Sequence, residues 1–487
     1  MEKIQVKVRN KRLNPDEFKR LRADVLSRWP TGQAVDLDEA TAYLRALPPG
    51  KSVALKVKDA REKGYCLSQP RGGFPLLEDM MDLHRILEQE GDPEILLPVT
   101  TDSYTRAERF SEVEQALEIC RKEKRSVLNG YPTVNHGLQN NRLLVESTSR
   151  PLFALGGNPL PCLTVEMSFA SGITGYLGSG VCVPVGYSKY VSIEQCIKNY
   201  QYVDYLTGLY SERGVPLYRE TAGFLTWILV PPGIEIALNT IDALLAAEQG
   251  VKFYGLGHSA QINFRQDSAA IIAMREVASQ YLVRAGHPGV ELFNSLIAFG
   301  GSYPENPAMA YATTSLVAAV AGMAGAQGVS VKTVDEARSV PTAVNNALAT
   351  RATRQALSII GQNRYPHTPE LDLEIEMLKK ESRAIIDRVL ELGDGDVAVG
   401  AVLGFDHGIL DCPWSPNLCV KGKVLGARDQ AGLVRYLDPG NLPIPPEVLE
   451  YHRQELGKRA ARENRPLNYE MLLDDLLKVA HGQPLSI

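Results

Sequence analysis

Tyr65-Cys66-Leu67-Ser68-Gln69-Pro70-Arg71-Gly72-Gly73 is a short apolar run that leads into an arginine and two glycines. An amphipathic segment, Leu76–Gln89, comes next, and then the pattern repeats. Ile95–Thr100 is apolar and leads through Thr101-Asp102-Ser103-Tyr104-Thr105 to Arg106. Strand, loop, helix, strand, loop in this order predicts a parallel sheet with helical crossovers. A guanidinium fixed at a strand end, beside backbone that carries no side chain, can hold a small carboxylate or phosphate. Either arginine alone reads more readily as an ordinary surface or ion-paired residue. The two together, each at the same place in its unit, point to anion recognition.

Outward from this pair, strand candidates continue at Ser126–Asn129, Pro151–Leu155, Val215–Tyr218, Lys252–Gly255, Glu291–Ala298 and Val329–Thr333. The glycine-rich stretch Ala170–Val185 adds another. Helical segments lie between them, including Glu108–Arg125 and the apolar Ile241–Gln249. About eight βα units in roughly 280 residues fit an α/β fold of the closed (β/α)8, TIM-type kind better than an open sheet. The 487 residues exceed what one hydrophobic core of about 250–300 residues serves. The expected organisation is a helical N-terminal leader over residues 1–50, a barrel over 51–370 and a separate C-terminal α+β region over 371–487. A long charged helix, Leu371–Leu392, opens that last region, which turns Pro- and Gly-rich over Asp411–Pro446 before a helical tail.

Composition narrows the function classes. Hydrophobic residues make up 44% and charged residues 22%, with a net charge of −5 and both signs interleaved. That is ordinary globular usage and gives no electrostatic footprint for nucleic acid. Lys3, Lys7, Arg9, Lys11 and Arg12 read as a solvated arm. The longest apolar stretch, Leu316–Val329, is too short to span a bilayer and reads as a close-packing helix. With no apolar signal core at the start, the expected place is the cytoplasm, with no membrane partner. Seven cysteines without CxxC spacing predict reduced thiols and no metal site, and no HExxH occurs. Gly255-Leu256-Gly257-His258-Ser259-Ala260 matches a dinucleotide fingerprint in isolation, and it is read as a tight turn at a strand end.

Four segments carry a wider pattern: Ser68–Gly73, Asp102–Arg106, Leu128-Asn129-Gly130-Tyr131-Pro132 and Val331-Lys332-Thr333-Val334-Asp335-Glu336-Ala337. Leu244–Lys252 and Val434-Arg435-Tyr436-Leu437 extend it. In order and spacing the set resembles the catalytic (epsilon) subunit family of glutamate mutase, also called methylaspartate mutase, over nearly the whole chain. The resemblance implies a (β/α)8 barrel whose strand ends face adenosylcobalamin, an isomerase that rearranges the carbon skeleton of a small acid by radical chemistry. It also implies that the corrin is held mainly by a separate small subunit with an Asp-x-His-x-x-Gly motif, and that this chain forms a homodimer within a heterotetramer. Asp82-Leu83-His84-Arg85-Ile86-Leu87 falls short of that motif, with leucine in place of the glycine, and reads as part of a helix.

Carried over position by position, Arg71 and Arg106 match two of three arginines that grip the substrate carboxylates, and Tyr187 matches a substrate tyrosine. Lys332 and Glu336 match the pair that holds the adenosyl ribose. Gly73, Asn129, Tyr303 and Val340 fall at other cofactor-contacting positions. Three positions depart: Leu155 stands where the family has the third arginine, Leu177 where a glutamate meets the substrate amine, and Val183 where a second tyrosine stands. Glutamate would meet two leucines where its charges need partners. A lost charge-assisted hydrogen bond costs ~1.5–3 kcal/mol, and an unpaired buried charge costs more.

Three functions follow from these residues. The first is a mutase for an altered acid, with fewer carboxylates or no free amine. The second is a non-catalytic binding or scaffolding homologue. The third is a true glutamate to 3-methylaspartate mutase whose missing groups come from nearby Arg150, Tyr176 or His136. Retention of Arg71, Arg106, Lys332 and Glu336 favours the first.

Overall fold

The computed structural model describes residues 5–221 and 227–486; Lys3 of the basic arm lies outside them. Eight parallel strands form one sheet: β1 (Leu67–Pro70), β2 (Leu97–Thr100), β3 (Leu152–Leu155), β4 (Gly175–Leu177), β5 (Tyr218–Thr221), β6 (Phe253–Ser259), β7 (Glu291–Ile297) and β8 (Gly328–Val331). Consecutive strands pair side by side, and β1 pairs with β8. Hydrogen bonds from Ser68 to the Glu94 carbonyl, from Leu96 to the Ser68 carbonyl and from Thr100 to the Gly72 carbonyl join β1 to the β2 side. The sheet thereby closes into a (β/α)8 barrel, with helices packed outside it.

Inward-facing Leu67, Phe153, Leu155, Leu177, Tyr218, Phe293 and Ile297 share one buried cluster, as the period-2 alternation of strands requires. A second sheet, the antiparallel pair β9 (Leu425–Arg428) and β10 (Val434–Asp438), lies outside the barrel. The helix Pro369–Leu392 packs on Pro232–Glu248 and Phe264–Arg284. Its apolar face, including Leu371, Ile375 and Leu378, joins the same core as Leu244 and Met274 of those helices.

Several expectations shift. Ser126–Asn129 forms no strand; a single bridge between Thr101 and Tyr131 is all that extends the sheet there. The apolar character of Val127 and Leu128 instead serves the packing of the helix Phe110–Glu123. The glycine-rich stretch supplies the strand in its place, as β4. The strand expected at Val215–Tyr218 runs from Tyr218 onward, so Arg219 and Glu220 lie within it.

Leu316–Val329 is not one helix. Gly325, at φ 74°, ends the helix Pro307–Ala324, and the chain enters β8 at Gly328. That helix is long and apolar enough to cross a membrane by length and composition. In this fold it is the crossover between β7 and β8, packed on the helix Ala343–Ile360. Gly255-Leu256-Gly257-His258-Ser259 is no turn either, because all five residues lie inside β6. Asp82 and His84 sit in the helix Leu77–Glu90, where the buried His84 ring bonds the Pro98 carbonyl at 2.9 Å through Nε2.

Candidate functional site

Loops at the C-terminal ends of the strands surround a cavity of about 280 Å³. Such strand ends are where barrel enzymes place their chemistry. Arg71 reaches it from the end of β1, and its Nε donates to Ser330 Oγ of β8 at 3.1 Å. Arg106 reaches it from the end of a one-turn helix, Ser103–Arg106, that Asp102 caps by accepting from the Tyr104 and Thr105 amides at 2.9 and 3.0 Å. Its Nε donates to the Thr101 carbonyl at 2.9 Å, and its guanidinium stands 5.9 Å from the Tyr187 ring centre. The cap and this hydrogen bond fix Arg106 against its own loop, facing the cavity.

Neither guanidinium has a carboxylate within ion-pair distance among the described residues. Burial, with the like charge of Arg71, pulls Arg106 below the ordinary arginine value. Two cations held together without a counter-ion make a receptor for an anion.

The adjoining wall, from β3 and β4, is apolar. Leu155 and Leu177 both line the cavity and are register partners on β3 and β4. Each is 8% exposed, a small area that opens onto the cavity. Tyr187, at the end of the helix Cys182–Tyr187, covers Gly157 at φ 49°, where an added Cβ would lie 3.5 Å from the ring. Val183 does not reach the wall. It is buried in the core that also holds Tyr176 and Tyr200.

Gly73, Asn129, Glu336 and Val340 also line the cavity. Gly73 is glycine for a packing reason: a Cβ there would stand 2.5 Å from the Thr100 carbonyl oxygen and 3.0 Å from the Gly130 Cα. Asn129 accepts the Ser103 amide through Oδ1 at 2.9 Å and so ties the Arg106 turn down.

Glu336 belongs to a 3₁₀ turn, Val334–Ala337, capped by Thr333 and braced where Asp335 accepts from the Thr342 amide at 2.8 Å. It also lines a second, polar cleft of about 620 Å³ with Tyr303 and Lys332. The buried Lys332 ammonium lies 5.4 Å from the Tyr303 ring centre. Burial lowers its pKa, Arg71 adds to that, and Glu336 opposes it. The Tyr303 hydroxyl meets Thr314, whose Oγ1 donates to the Lys332 carbonyl at 3.0 Å.

The structure thus gathers Arg71, Gly73, Arg106, Asn129, Leu155, Leu177, Tyr187, Glu336 and Val340 around one cavity, and Lys332 and Tyr303 around the next. Arg150, His136 and Tyr176 are not brought there. Arg150 precedes β3, at the other end of the barrel. His136 stacks on Tyr131 and bonds the Pro75 carbonyl, and Tyr176 is fully buried behind Gly156.

Sequence reasoning missed Thr100, which lines the cavity, and Ser330, which holds Arg71. The strand over Arg219-Glu220-Thr221 was also missed, although these polar residues directly continue the apolar Val215–Tyr218.

A family model for the methylaspartate mutase E chain (MutE) matches residues 47–486. The glutamate mutase epsilon subunit of Desulfitobacterium hafniense is 40% identical over 473 residues, covering 97% of this chain and 98% of that one. The subunit of the same name from Treponema denticola is 40% identical over 474 residues, with 97% and 98% covered. That of Escherichia coli O157:H7 is 39% identical over 479 residues, with 98% and 99% covered.

Proposed function

From the premise that this chain belongs to the methylaspartate mutase E chain family, we propose that it is the catalytic subunit of an adenosylcobalamin-dependent carbon-skeleton mutase, an isomerase, acting on a small carboxylic acid other than glutamate. The observation that carries this reading is the cavity with two unlike walls. Arg71 and Arg106, without carboxylate partners, stand on one side, and Leu155 and Leu177, paired in register, form the other. The arginines take a carboxylate. The leucines take an apolar carbon branch and leave no partner for the amine and second carboxylate of glutamate. A charged group buried without a partner is costly, so a site stripped of such partners rejects glutamate.

Adenosylcobalamin supplies, when bound, the hydrogen-abstraction chemistry that opens a skeletal rearrangement. Lys332, Glu336 and Tyr303 fit its adenosyl ribose, because the buried ammonium has no carboxylate within ion-pair distance among the described residues and shares its cleft with the carboxylate of Glu336. Gly73, Asn129 and Val340 line the neighbouring cavity, which shares Glu336 with that cleft. Arg71 and Arg106 orient the acid, while Tyr187 and the leucines exclude water from it. The relatives are named as subunits, and we read this chain the same way, as a homodimer with a small cobalamin-binding partner carrying Asp-x-His-x-x-Gly. Leu155, Leu177 and Val183 would suit a non-catalytic binding relative equally well. The uncompensated arginines and Lys332 favour the mutase.

Electron paramagnetic resonance and product analysis on the complex, assembled with its small subunit and adenosylcobalamin, test this. Glutamate and a panel of branched and deaminated acids would be offered in turn. A paramagnetic signal and an isomerised product with a non-glutamate acid are expected. A signal with glutamate alone overturns the altered substrate, and silence across the panel in an assembled complex overturns catalysis.

A further inference from the structure

Leu155, Leu177 and Glu220 occupy one continuous row of the barrel, Leu155 in register with Leu177 and Leu177 with Glu220. Glu220 is fully buried, one register step beyond the cavity-lining Leu177, and its hydrogen-bond donors all meet the same oxygen. Tyr218 Oη, Ser295 Oγ and Gln69 Nε2 donate to Oε2 at 2.7, 3.0 and 3.5 Å. Among the described residues Oε1 has no hydrogen-bond partner. Two other buried carboxylates, Asp242 and Glu235, differ from it. Asp242 uses both oxygens, accepting from the Val181 and Cys182 amides and from Ser179, and Glu235 likewise uses both. A bare buried carboxyl oxygen costs about 1–3 kcal/mol when nothing meets it.

We propose that Glu220 is a specificity-determining residue of this pocket, its free Oε1 accepting a hydrogen bond from a hydroxyl on the carbon chain of the substrate acid. The proposal rests on the reading of the cavity as an acid site and names the class of acid: a hydroxy acid. Neighbouring strands lie about 4.8 Å apart, so a ligand packed on Leu177 lies next to the Glu220 strand. The charge of Arg71 also acts on Glu220, which places the carboxyl within the electrostatic reach of the anion-holding side.

A hydroxyl suits the site better than an ammonium. A cation set beside Leu155 and Leu177 would lose its hydration without a full counter-charge, because burial raises the Glu220 pKa to about 7, with Tyr218, Ser295, Gln69 and Arg71 opposing the rise. A half-protonated carboxyl can both accept from and donate to a hydroxyl.

The test is calorimetric titration of the full-length chain with 3-methylbutanoate, 2-hydroxy-3-methylbutanoate and glutamate. Wild type should bind the hydroxy acid about tenfold more tightly than 3-methylbutanoate, as one net hydrogen bond of ~1.4 kcal/mol implies, and glutamate most weakly. Glu220→Leu should erase the preference for the hydroxyl, and Glu220→Gln, which keeps polar atoms at the same place, should retain most of it. Equal binding of the two acids by wild type overturns the proposal and leaves the acid site standing; this comparison needs no variant to fold. A hydroxyl preference that survives Glu220→Leu also overturns it. Failure of all three acids to bind wild type overturns the acid site itself and the proposal with it.

Discussion

Two polar knots inside this barrel are built from similar groups and end in opposite states. In the first, the His258 ring of β6 lies between Glu235 at 2.6 Å and Asp267 at 3.0 Å. Both carboxylates also accept backbone amides: Ser259 donates to Glu235, and Gln261 and Asn263 donate to Asp267. In the second, around the cavity, Arg71 and Arg106 face each other's charge with no carboxylate in ion-pair distance, and Glu220 keeps one oxygen bare, among the described residues. The first knot ties β6 to the helices Pro232–Glu248 and Phe264–Arg284 and is a matter of stability. The second leaves two guanidinium groups without an ion-pair partner and one carboxyl oxygen without a hydrogen bond among the described residues. Between these two knots, the one whose groups are all partnered is scaffold, and the one with bare groups borders the cavity.

The difference is sharpest in a pair of substitutions. Glu235→Ala should destabilise the fold by about 3–5 kcal/mol, since it leaves a charged ring in the core with half its partners, as read by urea unfolding. Arg106→Ala should change stability by no more than about 1 kcal/mol yet weaken 3-methylbutanoate binding roughly 10- to 100-fold, the loss of one charge-assisted contact of ~1.5–3 kcal/mol. If both variants lost stability alike, the contrast between the knots would disappear.

A smaller effect separates the knots by pH. Burial opposes the charge on His258, but Glu235 and Asp267 outweigh it and raise its pKa to about 9. Its contribution is full below the ordinary histidine value and is lost as pH rises through 9. Burial raises Glu220 from its ordinary 4.5 to about 7, so its contribution is full below 4.5 and lost as pH rises through 7. Glu220→Gln should therefore gain stability relative to wild type, by roughly 1–3 kcal/mol, between pH 5 and 8. Unfolding curves at both pH values check it; a constant difference would mean that Glu220 does not titrate in that window.

The legible parts of the molecule are those in which a local pattern and the global fold coincide. Arg71 stands directly after an apolar run and Arg106 in the short segment that follows one, so their place near strand ends follows from sequence order alone. The aliphatic residues at 155 and 177 were visible as departures from a family pattern. That they are register partners forming one wall is a property of the closed sheet, which brings together residues far apart in sequence. Glu220 was hidden because its strand begins at Tyr218, three residues later than the apolar run suggests, which moves a carboxylate from an expected loop into the barrel interior. The misread glycines of β6 failed for a related reason. Gly255 is glycine because the Tyr218 hydroxyl and the Glu220 side chain occupy the space a Cβ would need, a constraint set across the sheet.

The most direct test of the central claim, that the wall of Leu155 and Leu177 has turned the pocket away from glutamate, is glutamate titration against wild type and the double variant Leu155→Arg with Leu177→Glu. Two restored charge-assisted contacts of ~1.5–3 kcal/mol each should raise glutamate affinity by about 100-fold or more, with wild type binding too weakly to measure at millimolar concentrations. Tight glutamate binding by wild type, unimproved by the double variant, would contradict the account.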